Sequence, residues 1–242
     1  MRLRTPAARI QRIKSQAAHC MDYRIISIGA LSHHDLWDTQ GSARTAHATT
    51  TLIRSGDKVI LVDPSLPAQI LTARLGERVG LEPTDVTEVF LTNFRPAHRW
   101  GLSAFEHANW LIAEAERESV GRRLVERFQE QTDDDAQQLI KTEIELLQRC
   151  QPAPDQIAEH VDLFPLPGYT PGTCGLLLLE TSMTTLVAGD AVATMEHLSH
   201  GQVLRGAFDP DAARTSFIDA VEIADAIIPG HDNLLINPTR RM

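Results

Sequence analysis

Ten histidines and three cysteines are the side chains of this 242-residue sequence best able to hold a transition metal or carry a proton, so their spacing comes first. The cysteines point to neither role. Cys20, Cys150 and Cys174 are far apart and odd in number, which gives no disulfide framework and no Cys-x-x-Cys clip. Cys174 lies in an apolar run and reads as a small buried hydrophobe rather than a nucleophile. His33, His34 and His47 flank a polar stretch and read as solvated loop residues. His197 and His200, three apart beside Glu196, fit one face of a surface helix. Three further groups follow apolar segments: His98 within the polar stretch Asn93-Phe94-Arg95-Pro96-Ala97-His98 after Val86 to Thr92, Asp190 after Ala188-Gly189, and His231 after Pro229-Gly230.

The elements that must position these groups follow from periodicity and punctuation. Tyr23 to Gly29, Thr49 to Arg54 and Lys58 to Val62 have strand composition, the last two joined as a hairpin at Ser55-Gly56-Asp57. Ala68 to Val79 has helical spacing closed by Gly80, and Val86 to Thr92 is a buried strand followed by a polar loop to Gly101. Ala113 to Cys150 reads as two helices broken near Thr132-Asp133, with Asp133 to Asp135 as a solvated turn. Strands are expected at Val161 to Leu166, Cys174 to Leu179, Thr185 to Ala188 and Ala226 to Ile228, with a helix over Ala212 to Ala224. Trp100 and Trp110 read as core aromatics. Strands first, then strands and helices mixed, fits two sheets with helices outside: an α/β, four-layer αββα sandwich with an inserted helical hairpin at about 113–150.

Composition bounds the function. A net charge of −9 argues against general nucleic-acid binding, which needs clustered Lys and Arg. No apolar run reaches the roughly 18 residues that span a bilayer, and the cysteine pattern suits a reducing, cytoplasmic setting. Residues 1–21 carry Arg2, Arg4, Arg9, Arg12 and Lys14 with no acid before Asp22, and read as a basic, frayed extension ahead of one domain over 22–242.

The segments ending in His98, Asp190 and His231, together with Val59-Ile60-Leu61-Val62-Asp63 and Leu166-Pro167-Gly168-Tyr169-Thr170-Pro171-Gly172, resemble the motifs of the metallo-β-lactamase superfamily, in order and each at a strand end. The helical insertion resembles its lactonase-like and glyoxalase-like branches. The resemblance implies a hydrolase with two zinc ions held by imidazoles and carboxylates, and it also shows where this chain departs. Of His-x-His-x-Asp-His only the last histidine, His98, is kept. The first metal would fall to Asn93, Arg95 and Tyr169, of which the amide and phenol are weak ligands and the guanidinium none. The second would fall to Ala97, His98, Asp190 and His231, three of which are competent for one zinc or iron ion. Asp63 reads equally as a residue orienting the ligand loop and as a turn or helix cap.

Two functions are therefore expected from the resemblance. One is a mononuclear hydrolase of an ester, lactone, thioester or phosphoester, with His98, Asp190 and His231 as metal ligands and Asp190, Arg95 and Tyr169 in the catalytic centre. The other binds a small anionic molecule without catalysis and without metal, Arg95 pairing with Asp190 to replace the lost charge. Either is compatible with a monomer or a homodimer, and the hairpin could instead serve as a scaffold.

Overall fold

In a computed structural model, which describes residues 21–33, 36 and 45–240, the chain forms two mixed six-stranded sheets packed face to face between helices. The basic N-terminal extension, Cys20 and His34 lie outside the described residues.

The first sheet contains β1 (Asp22–Ser27), β2 (Thr50–Ser55), β3 (Lys58–Val62), β4 (Glu88–Leu91), β5 (Asn109–Ile112) and β6 (Gln151–Pro152), in that spatial order. In the second sheet β12 (Leu235–Ile236), β11 (Ala226–Pro229), β10 (Thr184–Gly189), β9 (Cys174–Leu179), β8 (Val161–Pro165) and β7 (Gln156–Ala158) are neighbours in turn. Alternation builds the layers. Ile60 and Val62 of β3 face inward with Phe90, Val187 and Ile228, while Leu61 joins Leu71 and Leu75 of α1 (Ala68–Val79) on the outer face. Leu186 and Ile227 face outward beneath Phe217 and Ala220 of α6 (Pro210–Ile223). Strands covered on both sides are apolar at nearly every position, as parallel strands in layered folds are.

The expected hairpin is present as α3 (Glu114–Glu130) and α4 (Asp134–Arg149), with Asp133 accepting the Ala136 N–H as helix cap. One short helix was not expected, α2 (Pro96–Arg99), inside the loop after β4, whereas α5 (Met195–His200) is the helix expected around His197 and His200. Strand β5 was also not expected as such, although Trp110 within it is core at 3% exposure. Trp100 corrects its expectation: it is 56% exposed, because the chain leaves α2 on the outer surface there. His197 corrects another. It is buried on α5, its ring Nδ1 2.9 Å from Thr194 Oγ1, so only His200 has the surface position expected of both. Among the described residues no helix is long and apolar enough to cross a membrane.

One feature of the topology positions the site. β3 and β4 run parallel, as do β10 and β11, so the loops leaving them emerge at strand C-termini, where ligands gather in sheets of this kind.

Candidate metal centre

Four such loops meet. Asp63 follows β3, Asn93 and His98 follow β4, Asp190 follows β10 and His231 follows β11, and every one of these side chains is buried. Gly189 lets Asp190 approach: its φ is 53° and a Cβ would stand 2.7 Å from Thr92 Oγ1, so only glycine fits between the loops.

Asp190 is the hub. Its Oδ2 lies 3.0 Å from His98 Nε2 and 2.9 Å from Asn93 Nδ2, and its Oδ1 lies 2.9 Å from His231 Nε2. The outer nitrogen of each imidazole is fixed from behind. His98 Nδ1 is 2.9 Å from Asp63 Oδ2, and His231 Nδ1 is 3.0 Å from the carbonyl of His47, an atom that can only accept. Asp63 is itself oriented by the backbone N–H and the hydroxyl of Thr92, at 2.9 and 2.7 Å. This decides between its two readings: Asp63 orients His98, and the residue preceding α1 is Pro67. Its φ of 49° is one that Asp tolerates better than most side chains.

The electrostatics follow from the same contacts. Burial pulls the His98 pKa down, but the carboxylates of Asp190 and Asp63 outweigh it and push the value up to about 10. Burial raises the Asp190 pKa, yet the charge of His98 and the hydrogen bonds from both imidazoles hold it well below the ordinary carboxylate range. Cys174 is inert, since burial pushes its thiol up to about 12.

His98, Asp190 and His231 form a donor set that could hold a metal ion. One ligand atom from each of His98, Asp190 and His231 lies within 4.8 Å of the others. Two imidazoles held by acceptors at Nδ1, with Nε2 aimed at a carboxylate, form the arrangement in which histidines are presented to a metal. At the other position, Asn93 Oδ1 accepts the Arg95 N–H at 3.0 Å, which turns the amide nitrogen, a donor with no free lone pair, toward Asp190.

The expected pairing of Arg95 with Asp190 is not seen: among the described residues Arg95 makes no ion pair with that carboxylate. It is exposed, with its guanidinium 4.8 Å from the centre of the Tyr169 ring. The physical reason is that Asp190 already receives hydrogen bonds from three neighbours, while Pro96 holds Arg95 extended, at φ −69° and ψ 146°, at the start of α2. Arg95 and Tyr169 are thus brought together, but beside the His98–Asp190–His231 cluster rather than on it.

Sequence reasoning missed Glu116. This α3 carboxylate, 1% exposed, accepts the Phe94 N–H at 3.0 Å, the Thr170 hydroxyl at 2.7 Å and the Gly172 N–H at 3.1 Å. It ties the inserted hairpin to the loops carrying Asn93 and Tyr169. Nearby, Arg99 donates to the Phe94 carbonyl and pairs with Glu143 of α4. A Glu near a helix start, favourable there for its charge, gives little sign of such a role.

The family model described as the metallo-beta-lactamase superfamily matches residues 44–231, from just before β2 to His231. A search of the curated proteins returns no match. Similar solved structures include a candidate metallo-β-lactamase from Thermotoga maritima, at 18% identity and a TM-score of 0.65, covering 90% of this chain and 100% of that one. The dizinc quorum-quenching lactonase AidC, in complex with a hexanoyl-homoserine product, is 17% identical with a TM-score of 0.63, covering 78% of this chain and 74% of its own. AiiA from B. thuringiensis, bound to N-decanoyl-L-homoserine, is 19% identical with a TM-score of 0.61, covering 88% and 92%. At these identities the likeness is one of fold.

Proposed function

Because the chain belongs to the metallo-β-lactamase superfamily, we propose that it is a hydrolase that works with one metal ion, zinc or iron, held by His98, Asp190 and His231. The observation that carries this reading is the pair of imidazoles whose Nδ1 positions are committed to Asp63 and to the His47 carbonyl while both Nε2 atoms face Asp190. An ion held there would act as a Lewis acid on a substrate carbonyl or phosphoryl oxygen.

The remaining work falls to the chain's own groups. Asp63 and His47 fix the imidazole rings, and the Asn93 amide donates to Asp190 and holds its carboxylate in place. Arg95 and Tyr169, stacked at the edge of the cluster, are assigned to meeting the substrate. The substrate class is an ester, lactone, thioester or phosphoester. The lactonases among the similar structures favour an acyl substrate.

The test is reconstitution. Protein stripped by a chelator is reloaded with one equivalent of zinc, iron(II) or manganese and assayed on a p-nitrophenyl ester, a thioester, an acyl lactone and a phosphodiester. Hydrolysis of at least one of them should return with the ion and stay absent in His231→Ala. Inactivity of every reloaded form on all four would overturn the proposal.

A further inference from the structure

A cavity of about 620 Å³ opens between the loops of the metal centre and the inserted hairpin. Its body is apolar, formed by Phe94 beside Asn93, Leu124 and Ile140 of the two hairpin helices, and Phe208, whose N–H is tied to the Tyr169 carbonyl at 3.2 Å. Phe208 is left largely exposed at the rim, a costly place for an aromatic that covers nothing.

Charge on the same walls is one-sided. Arg95, Arg123 and Arg127 all line the cavity and are exposed, and among the described residues none has an ion-pair partner. The other charged lining groups are already committed: Arg99 to Glu143, and Glu116 to its three hydrogen bonds. Arg123 and Arg127 lie four apart on α3, where like charges on one helix face are mildly destabilising. A chain of net charge −9 therefore keeps two guanidinium groups without a partner among the described residues, Arg123 and Arg127, and a third stacked on Tyr169, around one apolar hollow. Low-dielectric walls with an excess of one sign, here four Arg against two Glu, focus the field on an entering anion.

We propose that this cavity binds an amphiphilic anion, an apolar arm ending in a carboxylate or phosphate, with the apolar arm against Phe94, Leu124 and Ile140 and the anionic end on Arg123 and Arg127. Guanidinium groups suit both oxyanions because each offers paired N–H donors. The inference rests on the proposed hydrolase reading for the reacting end of such a molecule, whereas its binding needs no metal. Arg123 and Arg127 are then specificity residues supplied by the insertion.

The experiment is calorimetric titration of the whole protein, held in chelator, with octyl phosphate, octanoate and uncharged octanol. The anions should bind saturably, more weakly at high salt, and at least ten times tighter than octanol. The double variant Arg123→Ser/Arg127→Ser should lose about ten-fold or more for the anions and leave octanol unchanged. Both positions are exposed, and thermal unfolding checks that the variant is folded. Comparing the two anions shows whether phosphate or carboxylate is preferred. Equal binding of octanol and the anions, or anion binding indifferent to the double variant, overturns the inference. Because chelated protein is used, these results stand apart from the hydrolase test: anion binding can hold while no ion restores hydrolysis, and the reverse.

Discussion

Glu116 Oε2 stands 3.1 Å from the backbone nitrogen of Gly172, and a Cβ at residue 172 would collide with the backbone of Glu116 itself. Helix α3 is therefore pressed against the site loop with only hydrogen there to separate them. The insertion is part of the site's frame.

Replacing Glu116 with Ala leaves the Phe94 and Gly172 N–H groups without their acceptor, at a cost of roughly 1–3 kcal/mol each. Thermal denaturation should show a clear loss of stability, with hydrolysis falling further than in a distant helix variant of equal stability. Gly172→Ala should act in the same direction by forcing α3 and the loop apart. A Glu116→Ala protein as stable and active as the parent would refute the clamp.

Asp63 sets the orientation of His98 without touching an ion. Asp63→Asn keeps a residue that tolerates the positive φ, yet removes the carboxylate charge facing Nδ1. Loss of such a supporting partner typically weakens metal affinity about 10- to 100-fold. Competition titration with a chromogenic chelator reads this directly, and unchanged affinity would remove Asp63 from the centre.

How far the sequence carried the reading depended on whether the signal was local. Lys58–Val62, Cys174–Leu179 and Ala68–Val79 are legible at their observed bounds because a turn, an apolar run or a glycine cap marks them. The histidine–aspartate grouping was expected through the resemblance of its segments to family motifs; Asp190 and His231 directly follow the parallel strands β10 and β11, whereas His98 reaches them from α2, beyond the end of β4. What stayed hidden is set by partners distant in sequence. The burial of Glu116 depends on Gly172, and that of His197 on packing around α5. The placement of Arg95 over Tyr169 depends on the filled hydrogen-bond positions of Asp190, which no spacing reveals.

The pH dependence of chelated protein follows from the two shifted groups. His98 is raised from 6.5 to about 10, so its contribution to stability is complete below pH 6.5 and is lost as pH climbs through 10. Asp190 is depressed, so its contribution is present above pH 3.8 and is lost as pH falls through its lowered value. The unfolding midpoint of the chelated chain should therefore decline from pH 7 to 10, with a slope of at most ~1.4 kcal/mol per pH unit from one proton. In His98→Gln the decline should flatten. A midpoint that rises over this range would contradict the assignment of the proton to His98.

Metal affinity should run the other way. An ion must displace the proton on His98, so binding strengthens as pH rises toward 10. Zinc titrations at pH 6, 7 and 8 in one non-coordinating buffer check the sign, and affinity that falls with pH would be inconsistent with His98 as a ligand.

The central claim is a centre for one ion built by His98, Asp190 and His231. Its most direct measurement is metal content per chain, by elemental analysis, of native protein beside His98→Ala and His231→Ala. The account predicts close to one zinc or iron in the native chain and a large loss in both variants. No stoichiometric metal in the native protein, even after supply, or two ions per chain, would contradict it.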